Sequence, residues 1–305
     1  MLKYSIHIIC FILSFILVSC DDTVIQPETN QIVVEGYIDN GGFPIVFVTK
    51  AISLSSESQE LDIMDYCIRW AKVTINDGNK DIILTGKWDD GYFPPYIYTT
   101  SHIRGIENNK YTIKVEYENF NATATTTIPS KPTVDSIKII PTEVDSLCQI
   151  KLCITDNPKE RNFYKVFVRK FTNKYNKQWL SPYLSIVSDE VLNNTNEILV
   201  NQASYILDSK DYIPHFSYDD IISIKFAQID EAAYNFWNDF ENQTSFSKNP
   251  LFPLSENLAT NIDGGFGCWY GCNAVYIDLS LKKYKGKETV IPITSNNGVT
   301  ITPQE

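Results

Sequence analysis

Apolar and polar residues alternate in short runs from residue 32 onwards, and clusters of turn residues separate these runs. Residues 32–38 form the first run, Asp39-Asn40-Gly41-Gly42 follow, and the apolar character returns over residues 43–54. Asp, Asn and Gly tolerate the positive φ of a tight turn, so this pattern predicts a β-hairpin. Further strands are predicted at residues 71–75, 81–84 and 111–117, and in a Thr-rich run that ends at Ile128.

The second half of the chain continues with strand-like runs and one helical pattern. The predicted strands cover residues 134–140, 147–155, 163–171, 222–229 and 274–281. Asp230 is a suitable N-cap, and the residues that recur after it on one helix face are Ala233, Phe236, Trp237 and Phe240. This spacing predicts a short amphipathic helix whose aromatic stripe faces the core. Gly264-Gly265-Phe266-Gly267 predicts a bulged strand entry, where glycine lets two backbones approach.

Pro129-Ser130-Lys131-Pro132 is the best candidate for a domain boundary, because two prolines around a polar pair favour a stiff, extended hinge. The strands before it predict a β-sandwich over residues 32–129, and those after it predict a second β-rich domain over residues 133–305. The expected fold class is therefore mostly β. We predict two β-sandwich domains in tandem, immunoglobulin-like or transthyretin-like, with the short amphipathic helix in the second.

The beginning of the chain has a different pattern. Lys3 precedes an apolar stretch that is shorter than the ~20 residues of a membrane span and has the order of a secretory signal. The stretch ends in Leu17-Val18-Ser19-Cys20, a lipobox at which a bacterial lipoprotein is acylated on the Cys and cut before it. We predict a signal peptide at residues 1–19, a lipid anchor on Cys20 and a tether over residues 20–31. The alternative is an ordinary signal peptide in which Cys20 occurs by chance.

Composition narrows the range of partners. The chain has 26 Lys and Arg against 37 Asp and Glu, a formal net charge of −11. Nucleic acid and anionic lipid headgroups both require a basic surface, so neither is an expected partner. The 18 Tyr and 16 Phe against only two Met suit the half-buried surface of a pleated sheet, which favours the β class again.

Five cysteines lie beyond Cys20: Cys67, Cys148, Cys153, Cys268 and Cys272. Because five is an odd number, at least one of these thiols is not in an intramolecular disulfide. Cys148 and Cys153 occupy opposite faces of one predicted strand, so they cannot bridge each other. Cys268 and Cys272 would bridge only if the three residues between them turned tightly. These spacings do not favour a four-cysteine zinc site, and the pairing stays open.

Few residues of the sequence fit a known catalytic motif. His102 and His215 are isolated, and the sequence has no nucleophile elbow, zinc-protease motif or phosphate loop. Asp89-Asp90-Gly91 lacks the longer ligand ladder of a calcium loop and is interpreted as a turn. We therefore expect no enzyme activity, no catalytic residue, no metal and no cofactor.

The segment from Trp88 to Tyr98 is the candidate ligand-binding site, because it holds five aromatic residues and two adjacent prolines in a predicted loop and edge strand. Aromatic faces in a surface loop bind sugar rings or peptide side chains. The alternative is that these rings cap the open end of a sandwich. The candidate residues are Trp88, Tyr92, Phe93, Tyr96 and Tyr98.

Several short blocks follow one another in a characteristic order. They include Ile32-Val33-Val34-Glu35-Gly36-Tyr37-Ile38, Asp156-Asn157-Pro158, Tyr234-Asn235-Phe236-Trp237 and Gly264-Gly265-Phe266-Gly267, with further blocks at residues 71–78, 111–115 and 134–137. Together they extend over most of the chain after Cys20. In this order the chain resembles the Bacteroidetes lipoproteins grouped as domain of unknown function 4249.

This resemblance implies export to the outer membrane, exposure at the cell surface, and a gene neighbourhood with TonB-dependent receptors. It implies no enzyme activity and no defined ligand. The expected function is a non-enzymatic accessory that binds a ligand, a peptide or a glycan, or a receptor during TonB-dependent nutrient uptake. One alternative is a structural or adhesive envelope lipoprotein without a transport partner. A further alternative is an enzyme that uses His102 or His215.

Overall fold

The structure is a computed structural model that describes residues 31–51, 63–157, 160–171, 177–192, 196–203, 213–246 and 258–293. The predicted signal peptide, the Cys20 anchor and the tether up to residue 30 lie outside these ranges. Within them, no helix has the length and apolarity needed to cross a bilayer.

Strands account for most of the regular structure in the described ranges. They are β1 (Ile32–Asp39), β2 (Ile45–Lys50), β3 (Lys72–Asn76), β4 (Asp81–Ile83), β5 (Thr85–Trp88), β6 (Tyr96–Thr99), β7 (Lys110–Tyr117), β8 (Phe120–Thr127), β9 (Thr133–Pro141), β10 (Leu147–Thr155), β11 (Phe163–Lys170), β12 (Ile186–Ser188), β13 (Glu197–Val200), β14 (Phe216–Ser217), β15 (Ile221–Ile229), β16 (Phe266–Ser280) and β17 (Thr289–Pro292). The α-helix is α1 (Glu231–Phe246), and short 3-10 turns lie at Ile63–Tyr66 and Leu281–Tyr284. The predicted class, mostly β with one helix, is confirmed.

Eight strands form a central sheet in the order β12-β11-β15-β16-β1-β2-β6-β5. At its centre β1 and β16 run parallel, with Val33 opposite Phe266 and Asp39 opposite Cys272. The other neighbouring strands of this sheet are antiparallel. Four strands of the sheet precede the predicted boundary at residues 129–132 and four follow it. Two separate sandwiches in tandem are therefore not confirmed, because both halves of the chain contribute to one sheet.

Two smaller sheets pack on one face of the central sheet. The sheet β4-β3-β7-β8 covers the strands from the first half, and the sheet β13-β10-β9-β17, with β14 beside β10, covers those from the second. Trp269 and Val275 project from the same side of β16, since alternate residues of a strand share a face. Trp269 belongs to the first core and Val275 to the second, so the two cores lie side by side.

The helix α1 packs on the opposite face, against β11, β12 and β16. Asp230 caps its N-terminus by accepting the N–H of Ala233 at 2.8 Å, and Thr126 of β8 donates to the second carboxylate oxygen at 2.5 Å. The predicted N-cap is therefore confirmed. The predicted core face is confirmed as well: Ala233, Phe236 and Trp237 are buried and Phe240 is partly buried.

A buried ion pair holds the middle of α1 on the sheet. Nζ of Lys165, on β11, donates to Oε1 of Glu241 at 2.8 Å and to the hydroxyls of Ser181 and Ser185. Burial lowers the pKa of Lys165 to about 8, although the Glu241 carboxylate acts in the opposite direction. All three donor hydrogens of this ammonium therefore have acceptors, as a buried charge requires.

Cys148, Cys153, Cys268 and Cys272 are free thiols. Cys148 is buried and Cys153 is half-buried on opposite sides of β10, as predicted. Cys268 and Cys272 lie four residues apart in the continuous strand β16, which places their Cα atoms about 13 Å from each other. A disulfide needs Cα atoms within about 7 Å, and the tight turn that could bring them together does not form in this strand.

The last long strand begins earlier than the sequence predicts. It starts at Phe266 rather than at Ala274, because the glycine-rich run pairs with β1 instead of forming only an entry. Gly267 has a φ of +107°, and a Cβ at this position would lie 2.2 Å from the carbonyl oxygen of Val34. The close approach of two backbones predicted for this run is confirmed, and it permits the parallel pairing.

We expect Gly267→Ala to destabilise the fold far more than Gly78→Ala. Both glycines have positive φ, but nothing lies within 4 Å of a Cβ at Gly78, whereas Gly267 faces the backbone of β1. The conformational penalty alone costs about 1 kcal/mol, and the clash at Gly267 adds roughly 1–3 kcal/mol. Denaturant unfolding of both variants measures the difference. Equal losses of unfolding free energy would contradict a role for Gly267 in the β1–β16 pairing.

Candidate functional site

The face of the central sheet that carries α1 also has two neighbouring concave sites. The larger, here called the aromatic pocket, has a volume of about 120 Å³ and is lined by Asp39 and five half-buried aromatic residues: Tyr37, Phe43, Tyr92, Trp179 and Tyr276. The smaller, here called the Glu35 cavity, has a volume of about 30 Å³. Tyr37, Tyr92 and Trp179 line both sites, so the two share a wall.

Strand alternation places two of these residues. In β1 the even-numbered residues from Ile32 to Ile38 are buried toward the first core, so Glu35, Tyr37 and Asp39 project to the opposite face. Tyr276 projects from β16 toward the same face, and its ring centroid lies 5.7 Å from that of Trp179. The sheet therefore supplies a rigid floor for the aromatic pocket.

Two distant chain segments form the rest of the wall. Lys177 donates to both carboxylate oxygens of Asp89 at 3.0 and 2.9 Å. Gln178 accepts the N–H of Phe93 at 3.0 Å and donates to its carbonyl oxygen at 2.9 Å. These contacts position Tyr92 and Trp179 beside each other, although the two residues come from different halves of the sequence.

A buried polar cluster lies at the end of the pocket floor. Nζ of Lys225, on β15, donates to both oxygens of Asp39 at 2.7 and 2.8 Å, and the Tyr276 hydroxyl donates to Asp39 at 2.6 Å. The Cys272 thiol is a third donor to the same carboxylate. Burial lowers the pKa of Lys225, but the neighbouring groups, led by Asp39, together outweigh burial, so the net shift is upward and the lysine stays charged.

The other members of this cluster stay protonated. Burial, followed by the Asp39 charge, raises the pKa of the Cys272 thiol and of the Tyr276 hydroxyl well above their usual values. A thiol reacts as a nucleophile only as the thiolate, so Cys272 is in a poor environment for that chemistry. The cluster is suited to holding three strands and a pocket floor in place.

The Glu35 cavity has a different character. The Glu35 side chain is exposed at the mouth of the cavity, and desolvation by the protein around it raises its pKa. Trp237 of α1 also lines the cavity, and its buried Nε1 has no hydrogen-bond acceptor in the described part of the chain. The cavity therefore offers one acidic group among aromatic rings, beside the paired ammonium of Lys225.

The structure separates the aromatic residues predicted from the sequence. Tyr92 lines both sites, and Phe93 anchors the wall through its backbone. Trp88 lies on the edge strand β5, is 50% exposed, and contacts Arg69. A binding role for these five residues remains a prediction, but the pocket contains only Tyr92 among them.

Tyr96 and Tyr98 occupy structural positions. Tyr98 is 2% exposed in the first core, and its hydroxyl donates to the carbonyl oxygen of Ile68 at 2.7 Å. Tyr96 packs partly against the same core and donates to the carbonyl oxygen of Arg69 at 3.0 Å. Both hydroxyls thus hold the chain that leads into β3.

The sequence contains a signal for the residues that were missed. Lys225 stands in the middle of the apolar run 222–229, and Lys165 stands in the apolar run 163–168, where a charge requires a partner. The identities of those partners depend on strands far away in the sequence. Tyr37, Trp179 and Tyr276 have no local signal, because each is an ordinary aromatic residue of a strand or loop.

Asp89, His102 and His215 do not line either of the two sites. No group of three or more His, Cys, Asp and Glu side chains within the described ranges is arranged to hold a metal ion. Asp89 is engaged by Lys177 and accepts the N–H of Gly91 at 3.1 Å, which is the geometry of a turn. His102 is exposed on a loop and His215 is half-buried in another, both away from the two sites.

We expect Asp39→Asn and Lys225→Met each to cost about 3–5 kcal/mol of unfolding free energy, because either change leaves one buried charge unpaired. The double variant removes both charges, so it loses less than the sum of the single changes. Denaturant unfolding of the four proteins gives the coupling energy. Arg161→Ala is the control, because the Arg161–Glu231 ion pair is exposed, with side chains that are 54% and 59% accessible to solvent. Loss of an exposed ion pair lowers the unfolding free energy by only about 0–1 kcal/mol. Additive effects at Asp39 and Lys225 would contradict the buried pairing.

We expect Glu35→Gln to change how stability depends on pH. A carboxyl whose pKa is raised by folding binds more protons in the native than in the unfolded state, so stability falls as pH rises from about 4.5 through the folded pKa. Glutamine cannot titrate, and the variant therefore loses this decline. The exposed Glu143, changed to Gln, is the control and keeps it. Thermal unfolding between about pH 4 and 8 measures both slopes; identical slopes for wild type and Glu35→Gln would disprove the raised pKa.

Comparison with known proteins gives one match. No curated protein matches the chain. The model of one family, described as a domain of unknown function (DUF4249), matches residues 20–276. This range contains β1, β16 up to Tyr276, and every residue of the two sites described above. The family suggested by the order of sequence blocks is thereby confirmed, and the chain belongs to the DUF4249 family.

Proposed function

We propose that the protein is a lipoprotein of the outer membrane, exposed at the cell surface, that binds a ligand without transforming it. In this proposal it serves as an accessory to a TonB-dependent nutrient-uptake system. The observation that carries the binding role is the aromatic pocket, where five aromatic rings surround a hydrogen-bonded carboxylate on the open part of the sheet. Concave sites lined by aromatic side chains with a few oriented polar groups are typical of ligand binding.

The anchor follows from the lipobox at Leu17-Val18-Ser19-Cys20. Ten residues lie between Cys20 and Gln31, where the described structure begins, and the extended chain from Cys20 to Gln31 spans at most about 40 Å. A diacylated and cleaved Cys20 would therefore hold the body close to the membrane surface. Two acyl chains on one residue are enough for stable anchoring.

The pocket size indicates what kind of ligand fits. A site for a whole drug-sized molecule usually has about 300–1000 Å³, whereas the aromatic pocket has about 120 Å³. It therefore accepts one sugar ring or one side chain of a longer molecule. A peptide or a glycan, bound by one of its units, meets this limit. Nucleic acid does not suit a chain with a net charge of −11.

The division at residues 129–132 belongs to the same proposal. Each of the two small sheets makes a sandwich with its own part of the central sheet, so residues 32–129 and 133–305 are proposed as two sandwich units that share strands. In this arrangement the aromatic pocket draws its walls from both units.

We expect a deletion strain to regain nutrient-limited growth when it carries the wild-type protein, but not the Cys20→Ala or Trp179→Ala variants. Cys20→Ala removes the acylated sulfur, so palmitate labelling and sedimentation with membranes are lost. Trp179→Ala opens the pocket wall while the anchor stays intact. Affinity capture from outer membranes of cells under nutrient limitation should recover a TonB-dependent receptor with the wild-type protein.

Two substitutions outside these features serve as controls. Cys67→Ala changes a cysteine of the folded body, and Trp70→Ala removes a tryptophan that is 88% exposed and outside the pocket. Both variants should behave as the wild type. Normal growth of the deletion strain on every peptide and glycan tested, together with no captured receptor, would overturn the accessory role. Loss of surface attachment in that strain would favour the structural or adhesive alternative.

A further inference from the structure

Glu35 is an acidic group on this face of the sheet that has no ion pair within the described part of the chain. Asp39 is paired with Lys225, and Glu241 is paired with Lys165. Arg169 lies within electrostatic reach of Asp278, whose charge opposes the effect of burial on the arginine pKa. With these charges balanced, Glu35 leaves the site with one net negative charge.

The surroundings of Glu35 are those of a cation site. Its cavity is lined by aromatic rings and by Lys225, whose ammonium is neutralised by Asp39; the rings are those of Tyr37, Phe47, Tyr92, Phe167, Trp179, Trp237 and Tyr270. The negative face of an aromatic ring attracts an ammonium group, and a nearby carboxylate strengthens the attraction. Lys225 already shows this preference, since its Nζ lies 4.9 Å from the ring centroid of Tyr37 and 5.4 Å from that of Phe167.

Size restricts the cation. A volume of about 30 Å³ holds a group of roughly the size of one water molecule, such as a primary ammonium. A trimethylated ammonium is too large, and an amino sugar carries its nitrogen directly on a bulky ring. An ammonium at the end of a thin, unbranched stem reaches the cavity from the aromatic pocket, where Tyr37, Tyr92 and Trp179 flank the approach.

We infer that the Glu35 cavity binds the side-chain ammonium of a lysine in a peptide ligand, with Glu35 as its counter-ion. The alkyl stem of that lysine lies against the shared wall, and the neighbouring unit of the peptide occupies the aromatic pocket. This inference rests on the proposed binding function and specifies its ligand class as a lysine-containing peptide.

Isothermal titration of the full-length protein in detergent tests this at neutral pH. The probes are Nα-acetyl-L-lysine methylamide and Nα-acetyl-L-norleucine methylamide, which have the same stem and differ in the ammonium. We expect the lysine probe to bind about tenfold more tightly than the norleucine probe. Glu35→Gln keeps the shape of the side chain and should reduce this ratio to about one.

Two further variants make the result specific. Glu143→Gln removes an exposed carboxylate far from the cavity and should keep the tenfold preference. Glu35→Asp keeps the charge but shortens the side chain, so it should retain part of the preference. Near-ultraviolet circular dichroism confirms that each variant is folded. Should Glu35→Gln fail to fold, the Glu35→Asp protein and the two wild-type titrations still decide the matter.

Three results would overturn the lysine site. The first is that the wild-type protein binds the lysine and norleucine probes with nearly equal affinity, or binds neither, and the second is that Glu35→Gln keeps the wild-type ratio of the two affinities. The third is Glu35-dependent binding of glucosamine that is tighter than the binding of the lysine probe. A captured TonB-dependent receptor combined with any of these would leave the accessory role standing and remove only the lysine site. A preference for the lysine probe without any captured receptor would leave the lysine site standing and remove only the accessory role.

Discussion

The parallel pairing of β1 with β16 is the constraint on which the rest of the structure depends. Asp39 and Cys272 lie side by side in this pair although 233 residues separate them in the sequence. Bringing such distant segments together has a large entropic cost, which the shared sheet and its two cores must offset. Once the pair forms, Tyr37 and Tyr276 face the same side of the sheet, and both concave sites acquire their floor. The fold and the candidate site are therefore consequences of one contact between distant strands.

Electrostatics on the helix-bearing face follow from the same arrangement. Lys165 and Lys225 lie on the neighbouring strands β11 and β15, and each has a carboxylate partner from another part of the chain. In both pairs burial lowers the pKa of the lysine and the carboxylate raises it, but the balance differs. Burial dominates at Lys165, whose pKa falls to about 8, whereas at Lys225 the neighbouring groups, led by Asp39, outweigh burial. Glu35 differs from these carboxylates in being exposed to solvent and in having no lysine partner among the described residues.

Patterns among residues close in sequence predicted a large part of the fold but little of the aromatic pocket. The turn residues around Gly41 and Gly78 marked hairpins, and the spacing of Ala233, Phe236 and Trp237 marked the helix, because these features depend on neighbours in sequence. The early start of β16 was not predicted, because glycines are poor strand formers. A glycine is needed at Gly267 because the carbonyl oxygen of Val34 leaves no room for a Cβ, and that contact is not visible in the sequence. Tyr92 was found because aromatic residues cluster around it. Trp179 and Tyr276 were missed because nothing in their own segments shows that they meet Tyr92.

The position of β16 near the end of the fold has a consequence for biogenesis. A chain synthesised from its amino terminus presents β1 long before its parallel neighbour exists, so one edge of that strand stays without hydrogen-bond partners during most of translation. Exposed edges of this kind recruit other strands and lead to aggregation. The nascent polypeptide therefore gains from being kept unfolded by a holding chaperone until the residues of β16 have emerged.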